Sequence, residues 1–262
     1  MPEGHTIHRL ARRHDEWFAG QPVAVSSPQG RFASPDVVDG QVLRGASAWG
    51  KHLFHHYDAG VVHVHLGLFG KFFNHEGPPP EPRETCRMRV STGGRTVDLV
   101  GAITCELLTP GEVDDLTARL GPDPLRDDAD PDQAFAALQR KRIGIGRALM
   151  DQAVLAGVGN VYRAEILFTH GLHPELPARD VDRATFDSMW AQLREWLQWG
   201  VRTGRIVTTD PEEIGKPRGR MRKYESRYVY KQDQCMRCGT DIRRWDLAGR
   251  WAYACETCQT PP

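Results

Sequence analysis

Four cysteines near the end of the sequence have the spacing of a metal site. They form two C-x2-C pairs separated by sixteen residues: Cys235, Cys238, Cys255 and Cys258. Two residues between paired cysteines let both thiolates reach one tetrahedral Zn²⁺ from a tight turn. The alternative, a pair of disulfides, is rare in a cytoplasmic chain. We therefore predict one zinc ion with a structural role, because four thiolates leave no open position for a substrate or water.

The N-terminal segment MPEGHTIHRLARRH carries a second group that could do chemistry. A proline at position 2 favours removal of the initiator methionine, which would leave Pro2 as a free secondary amine beside Glu3. The alternative is structural, since proline suits a first helical turn and Glu3 complements the positive helix end. A helical face does follow, formed by Ile7, Leu10, Ala11, His14, Trp17 and Phe18. These residues alone leave both interpretations open.

A glycine-rich turn and two basic segments suggest binding of phosphate groups. Gly157 and Gly159 lie in AGVGNV between two predicted helices, where exposed amides and the Asn160 side chain could bind an anion. An αα-hairpin turn that uses its glycines only for geometry is the alternative. KPRGRMRK, residues 216–223, holds five basic residues and no acid, and the alternative here is a solvated loop whose charge is incidental. The predicted β-hairpin between the cysteine pairs adds Arg243, Arg244 and Arg250.

Composition limits the class of protein. The 262 residues are 40% hydrophobic and 26% charged, as in an ordinary globular chain of two domains. A formal net charge of zero argues against a nonspecific polycation, yet eight acids and two arginines fall between Glu112 and Asp132. The sequence contains neither an apolar run of about 18 residues nor a signal-like N-terminus, so we expect a cytoplasmic protein without a membrane partner.

Hydrophobic periodicity places these groups in an α+β protein. An N-terminal helix is followed by many short segments of period two, which predict a two-layered β-sandwich over residues 1–115. An acidic linker is expected over 116–132, a helical domain over 133–230 and a four-cysteine finger over 231–262. Cys86 and Cys105 are expected to be buried apolar residues. One long helix buries a face made of Phe186, Met189, Trp190, Leu193 and Leu197.

Three separated stretches resemble one family. MPEG, LMDQAVLAGVGNVYRAEILF and the finger ending in GRWAYACETCQ resemble the Fpg/Nei family of DNA glycosylases, in the same order and over essentially the whole chain. The middle stretch is similar to that family's helix–two-turn–helix, and the C-terminal stretch to its zinc finger. The resemblance therefore implies an enzyme that binds double-stranded DNA containing oxidised bases or abasic sites.

The resemblance also assigns roles to residues. It implies that Pro2 is the nucleophile that attacks C1′ and forms a Schiff base, and that Glu3 is the catalytic acid. The segment WGKHL resembles the family's catalytic β-hairpin and places that function on Lys51. Asn160 matches the phosphate-binding asparagine of the two-turn motif, and Arg250 matches the arginine of the finger.

The segment HLGLFGKFF resembles the loop that fills the gap left by an extruded base. Leu68 and Phe69 are the expected wedge, because an apolar side chain between base steps compensates for lost stacking. The alternative is that both residues are core residues at a strand end. The segment from Arg202 to Tyr230 would contact or cover the extruded base, and no residue in it fixes the specificity.

Two branches of the family compete for this chain. PEGHT, with Gly4 after the glutamate, resembles the endonuclease VIII branch, whereas HLG resembles the formamidopyrimidine branch. We expect a bifunctional glycosylase and AP lyase of base excision repair that removes oxidised pyrimidines and cleaves the strand by β,δ-elimination. The alternatives are a formamidopyrimidine-type enzyme for oxidised purines such as 8-oxoguanine, and a catalytically silent protein that binds damaged DNA. A monomer associated with the bacterial nucleoid is expected in each case.

Overall fold

The computed structural model describes residues Pro2–Pro262, which divide into two compact units. The first unit ends at Arg119, and the second runs from Leu120 to Pro262. Antiparallel strands dominate the first unit and helices the second, so the predicted α+β class is confirmed. Within the described residues, no helix combines the length and the apolar character needed to cross a membrane.

The first unit is a β-sandwich with one long helix. Its helices and strands are α1 (Gly4–Phe18), β1 (Ala24–Ser26), α2 (Pro35–Val38), β2 (Gly45–Trp49), β3 (His52–Tyr57), β4 (Gly60–His65), β5 (Lys71–Glu76), β6 (Cys86–Ser91), β7 (Arg95–Val100), β8 (Thr104–Leu108) and α3 (Pro110–Thr117). One antiparallel sheet has the order β1-β6-β7-β5, and the other has the order β2-β3-β4-β8.

A single hydrophobic core lies between these two sheets. It takes Val90 and Leu99 from the first sheet and Leu53 and Val64 from the second. The predicted face of α1 joins it, with Ile7, Ala11, His14 and Phe18 buried and with Leu10 and Trp17 packed at the margin. Cys86 and Cys105 are buried and unpaired, as expected of small apolar residues.

The acidic segment between the units is packed rather than free. Residues 121–124 are buried on the second unit, where Gly121 N–H donates to Gln152 O at 2.8 Å and Pro122 O accepts from Ala156 N–H at 3.0 Å. The expected linker over 116–132 therefore differs from the structure, because its prolines and buried Asp123 are part of the second unit's fold. Negative charge alone does not indicate a flexible tether.

The second unit is helical and ends in a β-hairpin. It comprises α4 (Pro131–Gln139), α5 (Ile145–Ala148), α6 (Asn160–Thr169), α7 (Arg183–Thr203), α8 (Pro211–Ile214), β9 (Arg243–Asp246) and β10 (Trp251–Ala254). The long helix predicted from periodicity is α7, and its five predicted apolar residues are all buried. Asp182 caps its first turn through Thr185 N–H, and Gly204 ends it in the left-handed conformation.

The stretch between α5 and α6 corrects one expectation. The first of the two helices expected around AGVGNV is short, because α5 ends at Ala148 and two successive turns follow before α6. The Asp151 carboxylate accepts from Ala153 N–H at 3.0 Å, and Gln152 Oε1 accepts from Gly157 N–H at 3.0 Å. These side chains bond to backbone amides and so compete with the hydrogen bonds of a helix. The helical spacing of apolar residues therefore continues through a stretch whose backbone is not helical.

Candidate functional site

Pro2 and Glu3 stand at the N-terminal end of α1. Glu3 occupies the N-cap position, and its carbonyl oxygen accepts from Thr6 N–H at 2.8 Å. The Glu3 side chain is fully buried, whereas Pro2 is half-buried. Pro2 lines an open cavity of about 400 Å³ together with Thr6 and Leu10 and with the chain from Leu66 to Phe72. A fully buried carboxyl therefore lies next to a proline that faces open space.

The loop across this cavity presents apolar side chains to solvent. Gly70 N–H donates to Leu66 O at 3.0 Å, which closes a tight turn with Leu68 and Phe69 at its tip. Leu68 is 39% exposed and Phe69 is 85% exposed. This exposure is inconsistent with the alternative that they are core residues at a strand end. The structure therefore brings the expected wedge residues to the rim of the Pro2 cavity.

Ile103, beside Gly67 of this loop, is a further exposed apolar residue that the sequence did not single out. It is 66% exposed, and its N–H donates to His65 O at 3.0 Å. Gly67 has a φ of 66°, a conformation that glycine adopts without strain, and a Cβ built on it would lie 2.3 Å from Ile103 Cδ1 and would displace that side chain. The signal in the sequence was weak, because an isoleucine after a strand resembles any strand residue.

Lys51 lies in a two-residue hairpin turn. Trp49 and His52 are paired across β2 and β3, which leaves Gly50 and Lys51 as the turn. Gly50 has a φ of 57°, the left-handed conformation that such hairpin turns require. Burial lowers the pKa of the neighbouring His52 and His65 rings, and the charge of Lys51 adds a smaller contribution to each.

These elements meet at one end of the second sheet. His65 pairs with His52 beside the Lys51 turn, and the loop that follows His65 lines the cavity with Pro2. At the other end of α1, Asp15 Oδ1 accepts from Ala46 N–H at 2.9 Å near the start of β2. The fold thus gathers the N-terminal proline, the lysine turn and the apolar loop, which are far apart in sequence.

His5 is a titratable neighbour of this cluster that sequence reasoning did not select. Its ring is buried, and burial together with the charges of Arg9 and His8 lowers its pKa to about 4. The His5 Nε2 atom lies 3.2 Å from Thr6 Oγ1. A neutral imidazole beside Pro2 and Glu3 adds no positive charge to the cavity at neutral pH.

The four predicted metal ligands converge in the second unit. All four sulfur atoms lie within 4.8 Å of one another, and three Sγ–Sγ distances are 3.9 Å (Cys235–Cys258), 3.4 Å (Cys238–Cys255) and 3.6 Å (Cys238–Cys258). Zn–S bonds of about 2.3 Å in a tetrahedron place sulfur atoms about 3.8 Å apart. The donor set therefore fits one zinc ion held by four thiolates.

The finger is attached to the helical part through Asn160. Asn160 Nδ2 donates to Trp251 O at 3.1 Å, and Asn160 Oδ1 accepts from the Arg163 guanidinium. Arg163 also donates to Trp251 O at 2.8 Å. Arg250 precedes Trp251 at the turn between β9 and β10, where Leu247 N–H donates to Arg250 O at 2.8 Å. Two predicted phosphate-binding residues are thereby brought together.

One expectation about phosphate-binding groups differs from the structure, and a second stays a prediction. The amides of the glycine-rich turn were expected to be exposed, but residues 154–160 are buried and Gly157 N–H is bonded to Gln152. In the basic segment 216–223, Lys216 is paired with Glu225 and Arg218 with Glu195. Glu225 lies two residues beyond this segment and Glu195 lies on α7, and these ion pairs involve two of the five basic residues.

Comparison with known proteins identifies similar chains. Residues 1–102 match the formamidopyrimidine-DNA glycosylase N-terminal domain, and residues 120–212 match the formamidopyrimidine-DNA glycosylase H2TH domain. Endonuclease 8 1 of Mycobacterium tuberculosis strain H37Rv is 49% identical over 268 residues, which covers 99% of this chain and 100% of the relative. Formamidopyrimidine-DNA glycosylase of Shewanella baltica strain OS195 is 32% identical over 244 residues, which covers 88% of each chain.

Solved structures show the same fold. Lactococcus lactis Fpg in complex with DNA containing N7-benzyl-Fapy-dG has a TM-score of 0.80 at 21% identity, covering 99% of this chain and 100% of that one. A complex of Lactococcus lactis Fpg with DNA containing an abasic site has a TM-score of 0.79 with the same identity and coverage.

Proposed function

This chain belongs to the Fpg/Nei family and is an endonuclease VIII-like DNA glycosylase and AP lyase of base excision repair, and we propose that it removes oxidised pyrimidines through Pro2. The observation that carries the proposal is the geometry of the N-terminus, where Pro2 faces an open cavity bordered by Leu68 and Phe69. Its full-length identity of 49% to an endonuclease 8, against 32% to a formamidopyrimidine-DNA glycosylase, supports the pyrimidine branch.

The nucleophile in this proposal is the secondary amine that removal of Met1 creates on Pro2. An α-amine titrates near pH ~8 and a lysine near ~10.4, so a terminal amine has about 250 times more neutral form at pH 7. The positive end of α1 favours the neutral amine further. The Pro2 nitrogen attacks C1′, the glycosidic bond breaks with its electron pair leaving on the base, and the base is protonated.

The lyase steps follow from the same covalent bond. Opening of the sugar ring converts the Pro2 adduct into an iminium ion, which accepts electrons as a proton leaves C2′. Loss of the 3′-phosphate completes β-elimination, and loss of the 5′-phosphate completes δ-elimination. Glu3 is the proposed proton donor to the opening ring oxygen, because its side chain belongs to the residue directly after Pro2 at the start of α1.

Other residues are proposed to hold the DNA. Lys51 supplies positive charge to a phosphate or to the departing base, and Leu68 and Phe69 fill the space of the extruded base. Asn160 and Arg250 are the proposed backbone contacts of the second unit. A structural Zn²⁺ on Cys235, Cys238, Cys255 and Cys258 would stabilise the finger and takes no part in bond breaking.

Location and assembly follow from this activity. Because the substrate is damaged chromosomal DNA and the similar proteins are bacterial, we place the enzyme in the cytoplasm at the nucleoid. We propose that it acts as a monomer, since a single chain carries every residue assigned to the reaction.

The test is cleavage of end-labelled duplexes that contain thymine glycol, 8-oxoguanine or an abasic site. We expect preferred cleavage at thymine glycol, with phosphate at both ends of the gap as β,δ-elimination requires. Preferred cleavage at 8-oxoguanine would move the enzyme to the purine branch and retain the mechanism. Binding without cleavage of any duplex, by protein that begins at Pro2, would identify a silent damage-binding protein.

A further inference from the structure

The outer face of the second sheet carries a cluster of histidines. Side chains on a strand alternate between faces, so His52, His63 and His65 point away from the core that contains Leu53 and Val64. Phe54 lies among them, with its ring centroid 5.4 Å from that of His63 and nearly parallel to it. Nothing in the proposed reaction uses these histidines.

A hydrogen-bonded chain of three side chains, Glu106, His63 and His52, crosses three strands of this sheet. Glu106 on β8 places Oε1 3.0 Å from His63 Nδ1 on β4, and His63 Nε2 lies 2.9 Å from His52 Nδ1 on β3. An ionised carboxylate can only accept, so His63 donates from Nδ1 and its Nε2 carries the lone pair. His52 must then donate from Nδ1. The chain therefore fixes one tautomer on each ring.

The chain ends beside the turn that carries Lys51. His52 directly follows Lys51, and its pairing with Trp49 closes the turn. The His52 ring centroid lies 5.1 Å from that of His63 and 5.0 Å from that of His65, so packing fixes its orientation as well. Because His52 directly follows Lys51, contacts that hold the His52 ring also restrain the backbone of Lys51.

The neutral state of these rings matters for the lysine. Burial lowers the pKa of His52 to about 3, with further contributions from His63, His65, Lys51 and Arg119. Burial also lowers the pKa of His63, and this effect outweighs the opposing effect of Glu106. Lys51 therefore faces uncharged imidazoles at neutral pH and is not repelled by them.

We propose that Glu106, His63 and His52 are positioning residues that hold the Gly50–Lys51 turn, and with it the Lys51 ammonium group, in the orientation used on DNA. This inference rests on the proposed function, in which Lys51 contacts the phosphate or the departing base. Neither His63 nor Glu106 touches the reacting atoms. Their effect is transmitted through the backbone of His52 to Lys51.

A double-mutant cycle tests the coupling between this chain and Lys51. His63→Phe keeps an aromatic ring but removes both hydrogen bonds, and we expect it to slow single-turnover cleavage of an abasic duplex about tenfold. In a Lys51→Ala background it should cause no further loss. Glu106→Gln keeps an acceptor oxygen and should stay within about threefold of wild type, whereas Glu106→Ala should resemble His63→Phe.

His56→Phe is the matched control. His56 is a histidine on the same strand and face as His52, and it bonds to Ser47 Oγ at 2.7 Å rather than to the chain. We expect the cleavage rate of His56→Phe to stay within about twofold of wild type, although its loss of thermal stability should be similar to that of His63→Phe. Equal slowing by both substitutions, or multiplicative effects of His63→Phe and Lys51→Ala, would overturn the proposal.

An NMR measurement separates failure of this inference from failure of the proposed function. Imidazole ¹⁵N–¹H correlation at pH 7 should report both His52 and His63 as the neutral Nδ1–H tautomer, and His63→Phe should shift the Lys51 Nζ resonance. Other tautomers, or an unchanged Lys51 resonance, would overturn the proposed positioning of Lys51 even if the enzyme were active. Wild-type protein that begins at Pro2 and does not cleave abasic DNA would instead overturn the proposed function.

Discussion

Asn160 Nδ2 donates a 3.1 Å hydrogen bond to the carbonyl oxygen of Trp251, the residue that follows Arg250 at the tip of the finger hairpin. Arg163 reinforces the contact from the same helix. The first residue of α6 and the finger therefore share one partly buried polar connection. A residue expected only to bind phosphate also joins two parts of the second unit.

Asn160→Ala should weaken the finger as well as DNA binding. It leaves buried Arg163 without one acceptor, which costs about 1–3 kcal/mol. We expect faster transfer of zinc to a chromophoric chelator and lower affinity for an abasic-analogue duplex. Gln192→Ala, which loses a bond to Thr169 at the other end of α6, is the control. Unchanged zinc release in Asn160→Ala would show that the contact does not stabilise the finger.

Phe69→Ala should impair base extrusion without destabilising the fold. The side chain is 85% exposed, so its loss should change the free energy of unfolding by less than about 0.5 kcal/mol. We expect single-turnover excision of thymine glycol to fall about tenfold and strand cleavage at an abasic site to fall less, because no base needs to be extruded there. Val37→Ala removes another exposed apolar side chain and should change neither rate. Equal losses on both substrates would argue against the wedge role.

Cys235→Ala should remove zinc and disrupt the finger. Three thiolates hold Zn²⁺ far less tightly than four, and closed four-thiolate sites contribute directly to folding. We expect metal analysis to fall from about one zinc per chain to near zero, with weaker DNA binding. Cys86→Ala changes a buried cysteine of the first unit, and this control variant should keep the zinc ion of the finger. Full glycosylase activity in zinc-free Cys235→Ala would contradict a structural role for the metal.

Mild acid should destabilise the first unit. Burial lowers the pKa of His5 and of His55 to about 4, below the ordinary value of 6.5. The unfolded chain therefore binds more protons between pH 6.5 and 4, and stability falls as the pH is lowered through that range. Each histidine contributes a slope of up to about 1.4 kcal/mol per pH unit.

Urea unfolding at several pH values measures this slope. His55→Asn should flatten it by about one histidine's contribution. His55 bonds to His14 at 2.9 Å in the core, so the variant also needs comparison at pH 7.5, where its loss of stability sets the baseline. A stability that does not depend on pH between 7 and 5 would contradict the prediction.

Apolar periodicity and cysteine spacing were sufficient to predict the elements that depend on residues close together in sequence. The apolar period of α1 and α7 and the cysteine spacing depend on nearby residues, and each led to the element or cluster observed. The turns after Ala148 were missed because side-chain hydrogen bonds from Asp151 and Gln152 do not alter the apolar period.

Pairings between distant residues could not be predicted in the same way. The exposure of Ile103 depends on strand pairing at His65, and the chain from Glu106 to His52 depends on the register of three strands. Neither of these pairings produces a recognisable pattern within a short stretch of sequence. The role of Lys51 was inferred by resemblance, and its place at a hairpin tip follows from the pairing of Trp49 with His52.

Borohydride trapping followed by peptide mapping shows whether the Pro2 nitrogen is the atom that bonds to DNA. Protein shown by mass spectrometry to begin at Pro2 is incubated with an abasic duplex and, separately, a thymine glycol duplex, then reduced and digested. We expect a covalent DNA adduct on the N-terminal peptide with both substrates, attached to the Pro2 nitrogen. An adduct on Lys51 or another lysine, or no adduct on either duplex, would contradict it.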